Sequence, residues 1–213
     1  MGVVGWVDLM DPDVHRTIQD LKDLPSGSRL VGIRHQVDEE PQADWLLMPK
    51  VWRGLEAVAE AGLTYDLLAR PENLPAAIAT ARRFPNLRFV LDHMGKPEIR
   101  AGRMDGWAGC IERLGALPNV WCKVSGITTQ ADLESWRVSD LVPYVRHARR
   151  CFGDDRLVFG SDWPVCLLAG SYEKTMSSLV GALGELEDDI RDGIFGTNAI
   201  TCYDLRLPVA SPQ

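Results

Sequence analysis

The chain has 213 residues, 46% hydrophobic and 25% charged, which suits one globular domain and excludes disordered, collagen-like and coiled-coil chains. A net charge of −7 and a pI of about 5.1 leave no basic face for phosphates, so no nucleic-acid partner is expected. Apolar runs such as VVGWV and LRFVL fall far below the ~20 residues of a membrane span, so no membrane partner is expected either.

The opening MGVVGWVDLM has no basic leader and soon reaches acids, so it reads as mature structure rather than a signal peptide. A first strand is predicted over 3–8 and a second over 30–36. Val51, Leu55, Val58 and Ala59 then form a helical stripe that Gly62 can close. A third strand over 64–70 leads to a helix carrying Ala77, Ile78, Ala81 and Phe84, with Pro75 in its first turn. Strands over 87–93 and 119–125 follow, then a helix that Ser139 can cap, bearing Leu141, Val145, Ala148 and Phe152. The last strand covers 156–162, and Tyr172, Met176, Leu179 and Val180 mark a further helix.

Five cysteines at 110, 122, 151, 166 and 202 show no C-x-x-C or short Cys/His spacing. They read as reduced core thiols rather than a disulfide frame or a structural zinc site. With no leader, that usage suggests a cytoplasmic protein.

Strand starts recur every 23 to 37 residues, near the size of a βα unit, and strict alternation of strands with helices means α/β. No G-x-G-x-x-G or P-loop follows any strand, which removes support from nucleotide-binding open sheets. Polar residues gather instead where strands end, in WVDL, IRHQ, DLLAR, LDHMGKP, CKVSG and GSDWP. Barrels build their sites at that rim, so part of a TIM (β/α)8 barrel is favoured over a doubly wound sheet.

Chemistry at the rim starts with Asp162, which shares a face with Val158 and Gly160 and precedes the strand-ending Pro164. Its carboxylate suits a metal ligand or a base for water, as well as a turn cap. His93 ends its strand on the face of Phe89 and Leu91; it suits a metal ligand, proton shuttle or carbonyl partner, although many strand histidines are simply satisfied core residues. His15 and His147 lie in charged helical segments and are expected in solvent. Only one of Arg34 and His35 can face inward; Arg34 is favoured, as a fork for a substrate carboxylate or as a structural salt bridge. Lys123 pairs by face with Ser125, and Asp66 with Arg70, so buried opposite charges there can also satisfy one another. Asp8 is a lesser candidate at the end of the first strand. No nucleophile elbow occurs.

The segments GVVGWVDL, LVGIRHQVDEEPQADWLLMP, GLTYDLLARP, FVLDHMGKP, NVWCKVSGI, LVFGSDWPVC and IFGTNAITCYDL together resemble the amidohydrolase-related family (amidohydrolase 2), in particular its L-fuconolactonase and 2-pyrone-4,6-dicarboxylate hydrolase group. The resemblance covers residues 1–205 as one domain and leaves 206–213 as a tail. It implies a TIM barrel that opens small sugar-acid lactones in carbohydrate metabolism. Asp162 would activate water, and His93 would polarise the carbonyl or, with Asp162, bind one divalent metal such as zinc. Arg34, Lys123, Asp66 and Trp163 would contact the substrate.

The H-x-H that members carry at their first strand is absent. By this reading about 70 residues, two βα units, are missing ahead of Met1, and six strands remain. An incomplete barrel would expose two strand edges, inviting homo-oligomers, and its metal site would be thin, which is compatible with metal-independent hydrolysis. Two alternatives stand beside lactone hydrolysis: metal-dependent decarboxylation of a small unsaturated acid, or a truncated paralogue that binds without turnover.

Overall fold

The computed structural model describes residues 1–206, so all of the 206–213 tail but its first residue lies outside them. Six strands form one parallel sheet in chain order: β1 (Val3–Gly5), β2 (Leu30–Gln36), β3 (Thr64–Leu68), β4 (Phe89–Leu91), β5 (Val120–Val124) and β6 (Leu157–Phe159). All six predicted strands are present, most of them shorter than the apolar runs suggest. Consecutive neighbours throughout mean that every connection crosses in the same sense, as in a barrel; a doubly wound sheet would reverse its order. The result is a curled half-barrel. Among the described residues β1 and β6 each pair along one side only.

Between the strands lie α1 (Val14–Asp23), α2 (Pro49–Glu60), α3 (Leu74–Arg83), α4 (Trp107–Gly115) and α5 (Val138–Phe152), and α6 (Tyr172–Leu183) follows β6. Gly62 follows α2 at φ 70° and Pro75 lies in the first turn of α3, as their sequence positions require. Ser139 does not cap α5: the N-cap lies two residues earlier at Arg137, whose amide the Asp140 carboxylate accepts at 2.8 Å. His147 is also not in solvent. It is buried in α5, tilted against Trp107, with Nε2 3.0 Å from the Ala108 carbonyl. His15 is exposed and paired with Glu60. Cys122, Cys166 and Cys202 are buried, whereas Cys110 and Cys151 are half-buried.

Register decides what each sheet face carries. Ile33, Tyr65, Phe89, Val120, Cys122 and Val124 turn outward into the helical layer, where they form the main core. The other face carries Val4, Arg34, Asp66, Val90, Trp121, Lys123 and Val158. After α6 the chain passes through α7 (Asp188–Asp192) and a π-helical turn (Gly193–Thr197) into α8 (Asn198–Tyr203). Helix α8 packs Cys202, Ala199 and Tyr203 on Val90, Trp121 and Val158, flooring the inner face.

Side chains also tie the strand-entry end together through backbone carbonyls. Asn119 Nδ2 lies 3.0 Å from the Ala81, Phe84 and Leu87 carbonyls. The Arg156 guanidinium donates to the Gly115, Leu117 and Val120 carbonyls at 2.7 to 2.9 Å. Gly115 is itself a contact point, since a Cβ there would stand 2.4 Å from the Cys151 carbonyl oxygen of α5. Helix α4 lies this close to α5 only because that side chain is absent. We expect Gly115→Ala to lower stability by about 1–3 kcal/mol, the usual cost of overpacking, read as a lower urea midpoint with an unchanged slope. An unchanged midpoint would show that the two helices separate at no cost.

Candidate active site

The site is built where strands β2 to β6 end. Strand β4 stops at Leu91, and His93, Met94, Gly95 and Lys96 then all adopt left-handed backbone, at φ 53°, 52°, 69° and 49°. Left-handed conformation costs about 1–2 kcal/mol per non-glycine residue. Three contacts hold the turn: Trp107 Nε1 donates to the Met94 carbonyl at 2.7 Å, Lys96 Nζ reaches Asp38 Oδ2 at 2.5 Å, and the Lys96 amide closes onto the His93 carbonyl at 2.9 Å.

The turn corrects one sequence expectation. Alternation placed His93 with Phe89 and Leu91, yet those two face the helices. The left-handed turn swings His93 to the inner side, where Nδ1 lies 2.8 Å from Ser125 Oγ and Nε2 3.5 Å from Asp162 Oδ1. Asp162 also has left-handed backbone, at φ 56°. Gly126 gives the pair room, since a Cβ there would lie 2.6 Å from His93 Nδ1 and 3.0 Å from Asp162 Oδ2.

The hydrogen bonds select a tautomer. A carboxylate only accepts, so the Asp162 carboxylate facing Nε2 leaves Nδ1 to accept from the Ser125 hydroxyl. The ring proton then sits on Nε2, facing the Asp162 carboxylate. Burial lowers the His93 pKa, although Asp92 and Asp162 pull the other way, so the ring is a neutral N–H donor.

Beneath this pair lies an ion cluster. Lys123 Nζ bonds Asp92 Oδ1 at 2.5 Å and Asp66 Oδ2 at 2.9 Å, and Arg34 Nη1 bonds Asp92 Oδ2 at 3.2 Å. Tyr203, from α8, donates its hydroxyl to Asp66 Oδ2 at 2.8 Å. Burial would lower the Lys123 pKa, but the two carboxylates outweigh it and hold it well above the ordinary lysine value; Lys123 is a fixed cation. Burial pushes Asp66 up to about 6 against the pull of Lys123. Burial acts on Asp92 in the same direction, but the Lys123 ammonium, with Arg34, holds its carboxyl below the usual range.

A cleft of about 500 Å³ opens over these groups, lined by Arg34, His93, Lys123, Ser125, Asp162 and Trp163 among others. Five of the six residues expected from the sequence line it, and the sixth, Asp66, is buried one contact below. Trp163 is largely exposed at the wall. Arg70 does not join Asp66: it follows β3 and lies 3.7 Å from Asp38. Asp8 holds its own turn, accepting the Met10 amide. Asp92, Ser125 as the partner of His93, and Tyr203 are the additions. The alternate face Val90/Asp92 carried the signal for Asp92; nothing local marked Tyr203, which arrives from the far end of the chain.

A parallel half-barrel with a histidine–carboxylate pair at its strand ends is the layout of a (β/α)-barrel enzyme. The chain belongs to the amidohydrolase family, whose sequence profile matches residues 1–205. It is 36% identical to an L-fucono-1,5-lactonase of Burkholderia ambifaria over 97% of this chain and 71% of that protein. It is 35% identical to an L-fucono-1,5-lactonase of Burkholderia multivorans, over 97% and 72%. A crystal structure of an amidohydrolase from Burkholderia multivorans superposes with a TM-score of 0.87 at 34% identity, covering 96% of this chain and 74% of that one. A second crystal form of that amidohydrolase, with a TM-score of 0.86, holds zinc.

The residues of this chain do not make a zinc site by themselves. His93 Nε2 and Asp162 are two donors, and among the described residues no three His, Cys, Asp or Glu side chains converge. A catalytic zinc takes three protein ligands.

The ion cluster is directly testable by carboxyl ¹³C NMR. We expect Asp66 to titrate near pH 6, so that Lys123 faces two carboxylates above that pH and one below it. Tyr203→Phe removes a donor to the ionised form and moves the midpoint upward. An Asp66 that titrates among the exposed acids, unmoved by Tyr203→Phe, would contradict this arrangement.

Proposed function

We propose that the chain hydrolyses a small sugar-acid lactone, with Asp162 as base for water and His93 as donor to the carbonyl oxygen. The observation that carries this reading is the 3.5 Å approach of His93 Nε2 to Asp162 Oδ1 inside the cleft, with Nδ1 already engaged by Ser125. The lactonases at 36% and 35% identity supply the substrate class.

The steps use the chain's own groups. Asp162 accepts a proton from water as the oxygen adds to the lactone carbonyl, and the carbonyl becomes an oxyanion. His93 Nε2–H donates to that oxyanion, and the Lys123 ammonium stabilises it through space. Lys123 is neither base nor nucleophile, because Asp66 and Asp92 keep it charged. As the oxyanion collapses, the ring C–O bond breaks, and the proton held by Asp162 passes to the departing ring oxygen. The product is a hydroxy acid. Arg34, tethered through one nitrogen to Asp92, has the others to bind a substrate hydroxyl or the new carboxylate. Trp163 walls the ring.

The test is pH-stat hydrolysis of sugar 1,5-lactones, corrected for spontaneous opening. We expect Asp162→Asn to cut turnover by about 10²–10⁴-fold, the worth of general-base help. Chelator is expected to leave the wild-type rate within about twofold, because the donor set lacks a third ligand. Wild-type turnover that survives in Asp162→Asn would remove the aspartate from its role. Carbon dioxide release from an unsaturated acid without lactone opening would replace the reaction.

A further inference from the structure

Trp6, one residue past β1, is 58% exposed. An indole left in water at a strand end ordinarily gains little from being ordered. This one is held. Nε1 donates to His35 Nδ1 at 3.2 Å, so the two rings lie edge to edge, 26° from parallel with centroids 6.3 Å apart. His35 in turn stacks flat on Trp45, at 4.4 Å and 9°, and Trp45 is a buried core residue. Because His35 Nδ1 accepts from Trp6, its ring proton lies on Nε2, 2.6 Å from Glu40 Oε1. A ladder of three rings therefore runs from the core to the mouth of the half-barrel and fixes the outermost ring in one orientation.

The fixed indole faces a hollow of about 330 Å³ lined by Val4, Gly5, Trp6, Arg34, Gln36 and Leu68. Val4 and Arg34 line the main cleft as well, so the two spaces adjoin. The nearby acids are engaged, Glu40 by His35 and Glu39 by the Gln36 amide at 3.2 Å. What the hollow offers is a flat apolar ring beside a guanidinium and a primary amide. That combination suits a ligand with an apolar C–H face and a hydroxylated edge, which is a saturated sugar ring.

We propose that Trp6, presented by His35 and Trp45, is the platform on which the sugar ring of the substrate stacks while its carbonyl lies at His93 and Asp162. Arg34 and Gln36 take the ring hydroxyls. The proposal deepens the lactonase reading and rests on it: Trp6 holds the C–H face of the ring, and Arg34 and Gln36 set the preference for hydroxylated over bare lactones.

The experiment compares a sugar 1,5-lactone with δ-valerolactone, which lacks hydroxyls, in wild type, Trp6→Phe and Trp6→Ala, each checked for native circular dichroism. We expect Trp6→Ala to raise KM for the sugar lactone about tenfold, as the loss of about 1.4 kcal/mol of aromatic contact would. Its kcat should stay within about twofold, since the lost contact is the same in ground and transition states. Trp6→Phe should fall between, and δ-valerolactone, which offers the same C–H face, should lose affinity alongside it. A KM that Trp6→Ala leaves unchanged for both lactones, or a loss in kcat alone, would overturn the platform. If wild type turns over neither lactone, the lactonase reading fails, and the platform is judged by indole emission on titration with an aldonate. A change in wild type that Trp6→Phe abolishes would support it; no change would overturn it.

Discussion

The site depends on a backbone conformation that the chain adopts at a cost. Four successive left-handed residues after β4 begin at His93 and turn it to the inner side beside Asp92, and His93 reaches Ser125 and Asp162 only because of that turn. Strain of this kind persists only where the surroundings over-determine it. Here a buried tryptophan holds the Met94 carbonyl, a buried aspartate holds Lys96, and a serine holds the imidazole. Packing in the helical layer thus provides the stability that the turn consumes, and the turn converts it into the placement of one imidazole nitrogen.

The second constraint is electrostatic. Two carboxylates and two cations lie against one another under the cleft, and the interior bears them only because each is paired. The cluster makes Lys123 a permanent charge instead of a titrating one, and it leaves Arg34 with one arm fixed and the rest free. Helix α8 joins the arrangement through Tyr203, so the end of the domain and the middle of the sheet share one network. The same helix covers the inner apolar face beneath it, where Val90 and Val158 would otherwise meet water.

Much of this was legible in the residues. Short Val-, Leu- and Ile-rich runs alternating with helical stripes give the parallel sheet, and polar residues where the runs end point to the rim. The failures have physical causes. Alternation is a rule about extended backbone, so it misplaced His93, where the backbone is no longer extended, and it drew attention away from Asp92 on the true inner face. Ser139 lost the capping role to an aspartate because helix α5 begins two residues early, with Arg137 at its N-cap. His147 looked solvated because its neighbours in sequence are charged, yet its own face of α5 meets Trp107. Tyr203 and Asp66 are 137 positions apart, and no local pattern reports a contact between them.

The central physical claim is that His93 presents a neutral Nε2–H to the Asp162 carboxylate, and ¹⁵N NMR of imidazole-labelled protein at neutral pH tests it most directly. The account predicts a proton on Nε2, an acceptor-like Nδ1 shift, and loss of that Nδ1 signature in Ser125→Ala. A proton on Nδ1, or a ring charged at neutral pH, would contradict it.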